Sequence, residues 1–372
     1  MIYTFYSYKG GVGRTMALAN VAELFLRQGR RVLMIDWDLE APGLEQFFFQ
    51  GKDLETCRAQ PGIMELLAEY KAKMTRRLDL SNEDRWPFTN PFEYAQPIER
   101  ASAKGQLWLL TSGRRSPDSL KEYARSVLNF DWQDFYDTWA GGAYIDWLRR
   151  QCKQFADVML IDSRTGVTEM GGVCTYHLAD VVALFCAASN QNIQGTEVMV
   201  NNLAQPHLHD LRGGRPLKTL IVPARIDMNA TEQRAELRNR LSALRAQSRL
   251  AEDLQIPYIS PYAFEERIAV TQNADSDLHS PELIKAYEGL AERLDQLGGE
   301  VHQAWERKRD DLKRQLEGLS GKSSELLAAR VLETDRDKKQ QIRVEMELVE
   351  QKRRAIEDQL KRLQREFQYY LR

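Results

Sequence analysis

Lys9-Gly10-Gly11-Val12-Gly13-Arg14-Thr15 is the stretch whose reading decides the fold. Ahead of it lies a short β-rich run, Ile2 to Ser7. Behind it come a helical stretch, about Thr15 to Gln28, and a second apolar run, Arg31 to Ile35, that ends at Asp36. Strand, glycine turn, helix and strand make a βαβ unit. Such a turn gathers several backbone N–H groups and the positive end of the helix dipole around one point, where phosphate is the natural occupant. Gly10, Gly11 and Gly13 supply the backbone freedom and close approach that this requires, and Thr15 opens the helix with a hydroxyl able to ligate magnesium.

Further runs rich in branched residues follow at Leu107 to Leu110, Asp157 to Ile161, Val181 to Cys186, Leu217 to Val222 and Ile256 to Ile259, with amphipathic stretches between several of them. The expected fold is α/β, a mostly parallel P-loop sheet with helices on both faces. Residues from about 51 to 105 are polar and punctuated by Pro61, Trp86-Pro87 and Asn90-Pro91, and read as an insertion of short helices and loops. The aromatic run from Phe130 to Trp147 reads as a helix buried by its rings.

Bulk composition excludes more than it assigns. The 372 residues hold 52 basic and 54 acidic side chains and are 43% hydrophobic, which is enough for a real core and gives no basic excess calling for nucleic acid. Cys57, Cys152, Cys174 and Cys186 are scattered without a C-x-x-C pair, against zinc, iron-sulfur clusters or a disulfide framework and in keeping with a reducing cytosol. Met1 to Tyr6 have neither a basic n-region nor a cleavage site, so no signal peptide is expected, and no run approaches the ~20 apolar residues that span a bilayer.

From about Val301 the composition changes: residues 301 to 372 carry 18 Lys/Arg, 14 Asp/Glu and no proline. Ile342, Met346, Val349, Arg353, Ile356, Leu360, Leu363, Phe367 and Tyr370 alternate at spacings of four and three, a heptad seam with one charged member. Trp305, Leu312, Leu316 and Leu319 offer a matching stripe upstream. A C-terminal helical hairpin or coiled coil over 299–372 is expected, folding back around Ser320-Gly321 or pairing between chains.

The P-loop expression G-x-x-x-x-G-K-[ST] fails here, because Tyr8 stands where the first glycine belongs and Arg14 where the lysine belongs. With Lys9 included, the run resembles the K-G-G-x-G-K-[ST] loop of the ParA/MinD family of deviant Walker ATPases. Two further motifs extend the resemblance over about residues 1 to 298. Val32 to Glu40, with Asp36 and Asp38 just past a strand, is similar to the family's second motif, and Asp157 to Ser163, apolar until Asp162, resembles its Walker B strand. The resemblance implies ATP and Mg²⁺ as cofactors. Lys9 would reach across a homodimer interface to the other subunit's nucleotide, Asp38 would activate water, and Thr15, Asp36 and Asp162 would serve the metal. Lys9, Gly10, Gly11, Val12, Gly13, Arg14, Thr15 and Met16 would line the nucleotide, with Arg225 stacking on the purine and Asp227 free to cap the next helix. Arg164-Thr165-Gly166 looks like the switch segment, although Gly166, Gly171 and Gly172 fit ordinary turns equally well.

Arg14 keeps the charge of the lysine it replaces but is longer and forked, so nucleotide binding is expected to survive while hydrolysis is open. The resemblance thus implies an ATP-dependent dimerising switch that acts on a partner protein through its tail. A non-hydrolysing, nucleotide-bound scaffold or sensor recruiting an effector, including in antiphage defence, is the alternative. The tyrosine pair Tyr369-Tyr370 is a thin basis for kinase activity. Acidic residues spread through the last helix argue against a membrane anchor.

Overall fold

The computed structural model describes residues 1–74, 86–100, 103–166, 169–244, 246, 248–250, 254–272, 277 and 279–367. The chain divides into two compact units, Met1–Gly298 and Gly299–Arg372.

In the first unit the apolar runs become strands: β1 (Ile2–Ser7), β2 (Arg31–Trp37), β3 (Gln96–Pro97), β4 (Gln106–Leu110), β5 (Val158–Ser163), β6 (Val181–Cys186), β7 (Lys218–Pro223) and β8 (Arg249–Leu250). They form one sheet in the order β3-β4-β2-β5-β1-β6-β7-β8, parallel throughout except where β3 meets β4. The residues of β1, β5 and β6 are buried without exception, as strands covered on both faces must be. Register then sets the site. Asp36 pairs with Asp162 across β2 and β5, and Phe5 pairs with Asp162 across β1 and β5. Two carboxylates therefore stand level at the carboxyl ends of strands beside the glycine turn, where open α/β sheets bind ligands.

The helices are α1 (Arg14–Arg27), α2 (Gly51–Arg58), α3 (Ile63–Met74), α4 (Leu120–Leu128), α5 (Trp132–Asp137), α6 (Gly141–Phe155), α7 (Glu169–Gly172), α8 (Asn190–Leu203), α9 (Pro206–Leu211), α10 (Thr231–Ser242), α11 (Ser260–Glu265), α12 (Pro281–Leu332) and α13 (Arg336–Phe367). The 51–105 insertion supplies α2, α3 and the edge strand β3. The aromatic run is two helices rather than one, broken before Gly141, where a Cβ would collide with Phe135. Its rings are core: Phe135 and Tyr144 are fully buried around Tyr70, Tyr144 stacked on it and Phe135 edge-on.

Two expectations are corrected. Ile256 to Ile259 does not form a strand; it makes only an isolated bridge, Ile226 with Pro257, and the sheet ends at β8 instead. Pro257 lies inside the run and Pro261 follows it, and a residue without an N–H cannot extend a ladder. The helix expected to close the domain near Leu297 continues to Leu332. Its mid-helix Gly298 marks a close approach rather than a stop, because a Cβ there would run into the Tyr3 hydroxyl.

In the second unit the chain does not reverse at Ser320-Gly321. It stays helical to Leu332 and turns at 333–335, where the Glu333 carboxylate accepts from the amides of Thr334 and Asp335 and Asp335 accepts from those of Asp337 and Lys338. A helical glycine costs only about 1 kcal/mol, whereas Asp335 caps a new helix. The hairpin closes within the chain: Leu312, Val349, Leu360 and Leu363 are buried, and Lys322 Nζ pairs with Glu345 at 2.8 Å. Tyr369 and Tyr370 lie outside the described residues. All four cysteines are free and buried. Among the described residues no helix is long and apolar enough to cross a membrane.

Candidate functional site

The glycine turn adopts the backbone that its composition requires. Gly11 and Gly13 have φ of +73° and +81°, a region that side chains resist, and α1 starts immediately after. Tyr8, in the place of the missing glycine, is accommodated by a second glycine: a Cβ on Gly195 of α8 would lie 1.9 Å from the Tyr8 ring. Lys9 is exposed, with its ammonium 5.9 Å from the Tyr8 ring centre, and it does not line the cleft of its own chain.

Arg14 points into the site. Its Nε donates to Asp162 Oδ1, its Nη2 donates to Asp38 Oδ2 at 3.0 Å, and its buried Nη1 makes no hydrogen bond. Thr15 Oγ1 donates to the other Asp162 oxygen at 2.7 Å. Burial works against the charge on Arg14, but the two carboxylates outweigh it and raise its pKa, so it remains a cation. Burial raises the Asp162 pKa, and the adjacent guanidinium offsets only part of that. A fixed cation thus occupies the space between two acids, with one donor left over for an incoming oxygen.

Asp36 is placed differently from its expected role in the magnesium shell. It is fully buried, and its oxygens accept from the backbone amides of Asp38, Gly43 and Leu44 at 3.2, 3.0 and 3.1 Å. Burial, with the charges of Asp162 and Glu45, pushes its pKa up to about 8. The carboxyl shapes the 38–44 loop and sends Asp38 toward Arg14.

Of these groups Arg14, Thr15 and Asp38 line a cleft of about 620 Å³, together with Gly10 to Gly13, Met16, Glu40 to Gly43, Arg164, Thr165 and Arg225. Arg225 has a left-handed backbone, φ +56°, rare for a residue with a side chain and a marker of functional positions. Its Nη1 donates to the Gly11 carbonyl at 2.7 Å, and its guanidinium lies 4.9 Å from the ring centre of Tyr258. Asp227 turns the chain instead, accepting from the Asn229 amide at 2.9 Å. Of the switch segment, Arg164 pairs with Glu40 across the cleft and Gly166 has φ +79°. Sequence reasoning did not single out Glu40 or Tyr258. Glu40 follows Asp38 by two residues, and Tyr258 sits between two prolines in a loop expected to be strand. The cleft's donors are oxygen atoms, and among the described residues no three His, Cys, Asp or Glu side chains cluster to hold a metal. Thr15 Oγ1 and Asp162 Oδ2 converge at 2.7 Å. That fits Mg²⁺, which takes one or two protein oxygens and completes its shell with phosphates and water.

Residues 3–362 match the model of the CobQ/CobB/MinD/ParA nucleotide-binding domain. Among solved structures, apo McdA from Cyanothece is 17% identical with a TM-score of 0.52, over 79% of this chain and 98% of that one. An ATP complex of a Cyanothece McdA variant is 18% identical with a TM-score of 0.52, over 79% and 96%. The MinD cell division protein of Aquifex aeolicus is 18% identical with a TM-score of 0.49, over 79% and 96%. None of the curated proteins matches in sequence.

Proposed function

The chain belongs to the CobQ/CobB/MinD/ParA nucleotide-binding family, and from that membership we propose a magnesium-dependent, dimerising ATPase switch whose C-terminal hairpin meets a partner protein. One observation carries the reading: the glycine turn, left-handed at Gly11 and Gly13, opens α1 and brings Thr15 to Asp162 and the buried, unpaired Nη1 of Arg14 to the same cleft as Asp38. ATP phosphates bind the loop amides and draw the guanidinium off Asp38, which then orients the attacking water. Thr15 and Asp162 would hold Mg²⁺, which would neutralise phosphate charge. Asp36 holds the loop that carries Asp38. Arg225, steadied by Gly11 and Tyr258, faces the base.

The exposure of Lys9, outside its own cleft, supports a role in a second subunit's site. Light scattering tests it: the wild-type chain should double in mass with ATP and Mg²⁺, and Lys9→Ala should not. Phosphate release tests turnover, with Asp38→Ala as the control. A rate no higher than that control sinks the ATPase and leaves the second reading, a nucleotide-bound scaffold, which is favoured by Arg14 holding both acids at once.

A further inference from the structure

Beside the nucleotide cleft lies a second cavity, of about 530 Å³, that the switch reading does not use. The two share a wall. Glu40, Ala41 and Pro42, starting two residues after Asp38, line both. The opposite wall is α4, whose apolar positions Leu120, Tyr123, Ala124, Val127 and Leu128 recur at the helical period. The fold covers only half of that stripe. Tyr123 and Val127 are buried, while Ala124 is exposed and Leu120 and Leu128 are 52% and 79% exposed at the rim. The Tyr123 hydroxyl donates to the Leu39 carbonyl at 2.6 Å, which fastens this wall to the loop.

The polar part of the cavity is cationic. Arg58 and Arg115 both line it, and both reach a single carboxylate: Arg58 Nε donates to Glu45 Oε1 at 2.9 Å and Arg115 Nη1 donates to the same oxygen at 3.1 Å. Arg115 is only 9% exposed, and its buried Nε has no hydrogen-bond partner. Other acids nearby are engaged elsewhere, Glu40 with Arg164, Asp36 with three backbone amides and Glu65 with the amides of Gly62 and Arg114. Two guanidinium groups sharing one acid leave a positive charge beside an apolar chamber of the size that small ligands fill.

We propose that this cavity binds a small apolar carboxylate, an organic acid with a hydrocarbon or aryl body, and that its occupancy is transmitted to Asp38 through residues 39–42. The carboxylate meets Arg115 and Arg58, and the body covers Ala124, Leu120 and Leu128. Bound ligand then holds the loop from one side while Asp36 holds it from the other, so ligand and nucleotide affinities are coupled in both directions.

Calorimetric titration of the full chain with decanoate, methyl decanoate and acetate tests the binding. Decanoate should bind saturably, and the ester, which lacks the charge, at least about tenfold more weakly. Acetate should not bind measurably. Ala124→Trp, at an exposed helix position, should fill the chamber and abolish binding, and Arg58→Met should bring decanoate down toward the ester. No saturable binding, equal binding of acid and ester, or wild-type binding by Ala124→Trp each overturns the proposal. The transmission rests on the ATPase reading of the cleft and is read separately, as a shift in ATP affinity with saturating decanoate. Decanoate binding with ATP affinity unmoved overturns the transmission and leaves the cleft's function untouched. A chain that does not bind ATP at all fails on the cleft instead.

Discussion

Arg14 holds two carboxylates that a working site needs free, and its geometry makes a directional prediction. Lysine is a compact point charge that cannot bridge Asp38 and Asp162 as the planar fork does. Arg14→Lys should therefore speed phosphate release by about tenfold, roughly 1.4 kcal/mol of barrier. A slower variant would show that the arginine is matched to its phosphates as it stands. Arg225 offers a second test. Its left-handed backbone costs about 1 kcal/mol, which glycine relieves while removing the contacts to Gly11 and Tyr258. Arg225→Gly should thus unfold at the same or higher denaturant concentration yet bind ATP several-fold more weakly. Weaker binding together with lower stability would mean that the side chain only braces the fold.

At the level of elements, α8 matters to the phosphate loop through one missing side chain. Gly195 gives the Tyr8 ring its seat, so Gly195→Ala should displace it and with it Lys9, at about 1–3 kcal/mol of stability by the usual cost of overpacking. Chemical denaturation and ATP affinity should fall together; a variant as stable as wild type would refute the seat. The short π-helix Val173–Leu178, which continues α7, carries a pH dependence. His177 is buried between Tyr136 and Asp146, with Arg215 and Arg212 also facing it. Burial lowers its pKa, against the pull of Asp146. The folded state then binds fewer protons than the unfolded one, so its contribution is complete above the ordinary histidine pKa of about 6.5 and is lost as pH falls below it. Asp146, held well below the usual carboxylate range by His177 and Arg215 despite its burial, adds a further loss at lower pH. Urea midpoints should drop below about pH 6.5 in the wild type. His177→Gln should flatten that slope, and an unchanged slope would remove His177 as its cause.

For the whole molecule, the two compact units set up a separation of roles. Val349 is buried in the hairpin seam, and Val349→Asp puts a carboxylate among apolar side chains, a costly burial. The hairpin should loosen, losing helical signal, while ATP affinity stays at the wild-type value; loss of ATP binding would contradict the separation. The loop, both strand-end motifs and the heptad seam were legible in the sequence because each is local: glycine at left-handed positions, short continuous apolar runs and stripes of period 3.5 depend only on neighbours along the chain. Asp36 and Asp38, two residues apart and alike in composition, were separable only in the folded chain, where the 38–44 loop turns its amides onto Asp36 and carries Asp38 to Arg14. The reversal at 333–335 rather than at Ser320-Gly321 likewise came from pairing, because a helical glycine is a small cost that a packed partner covers. Sequence alone determined that this chain builds a phosphate loop on a parallel sheet and carries a helical tail. Only the tertiary structure decided where each charge points, because burial and the partners brought from distant strands, not spacing along the chain, set the energy of a buried charge.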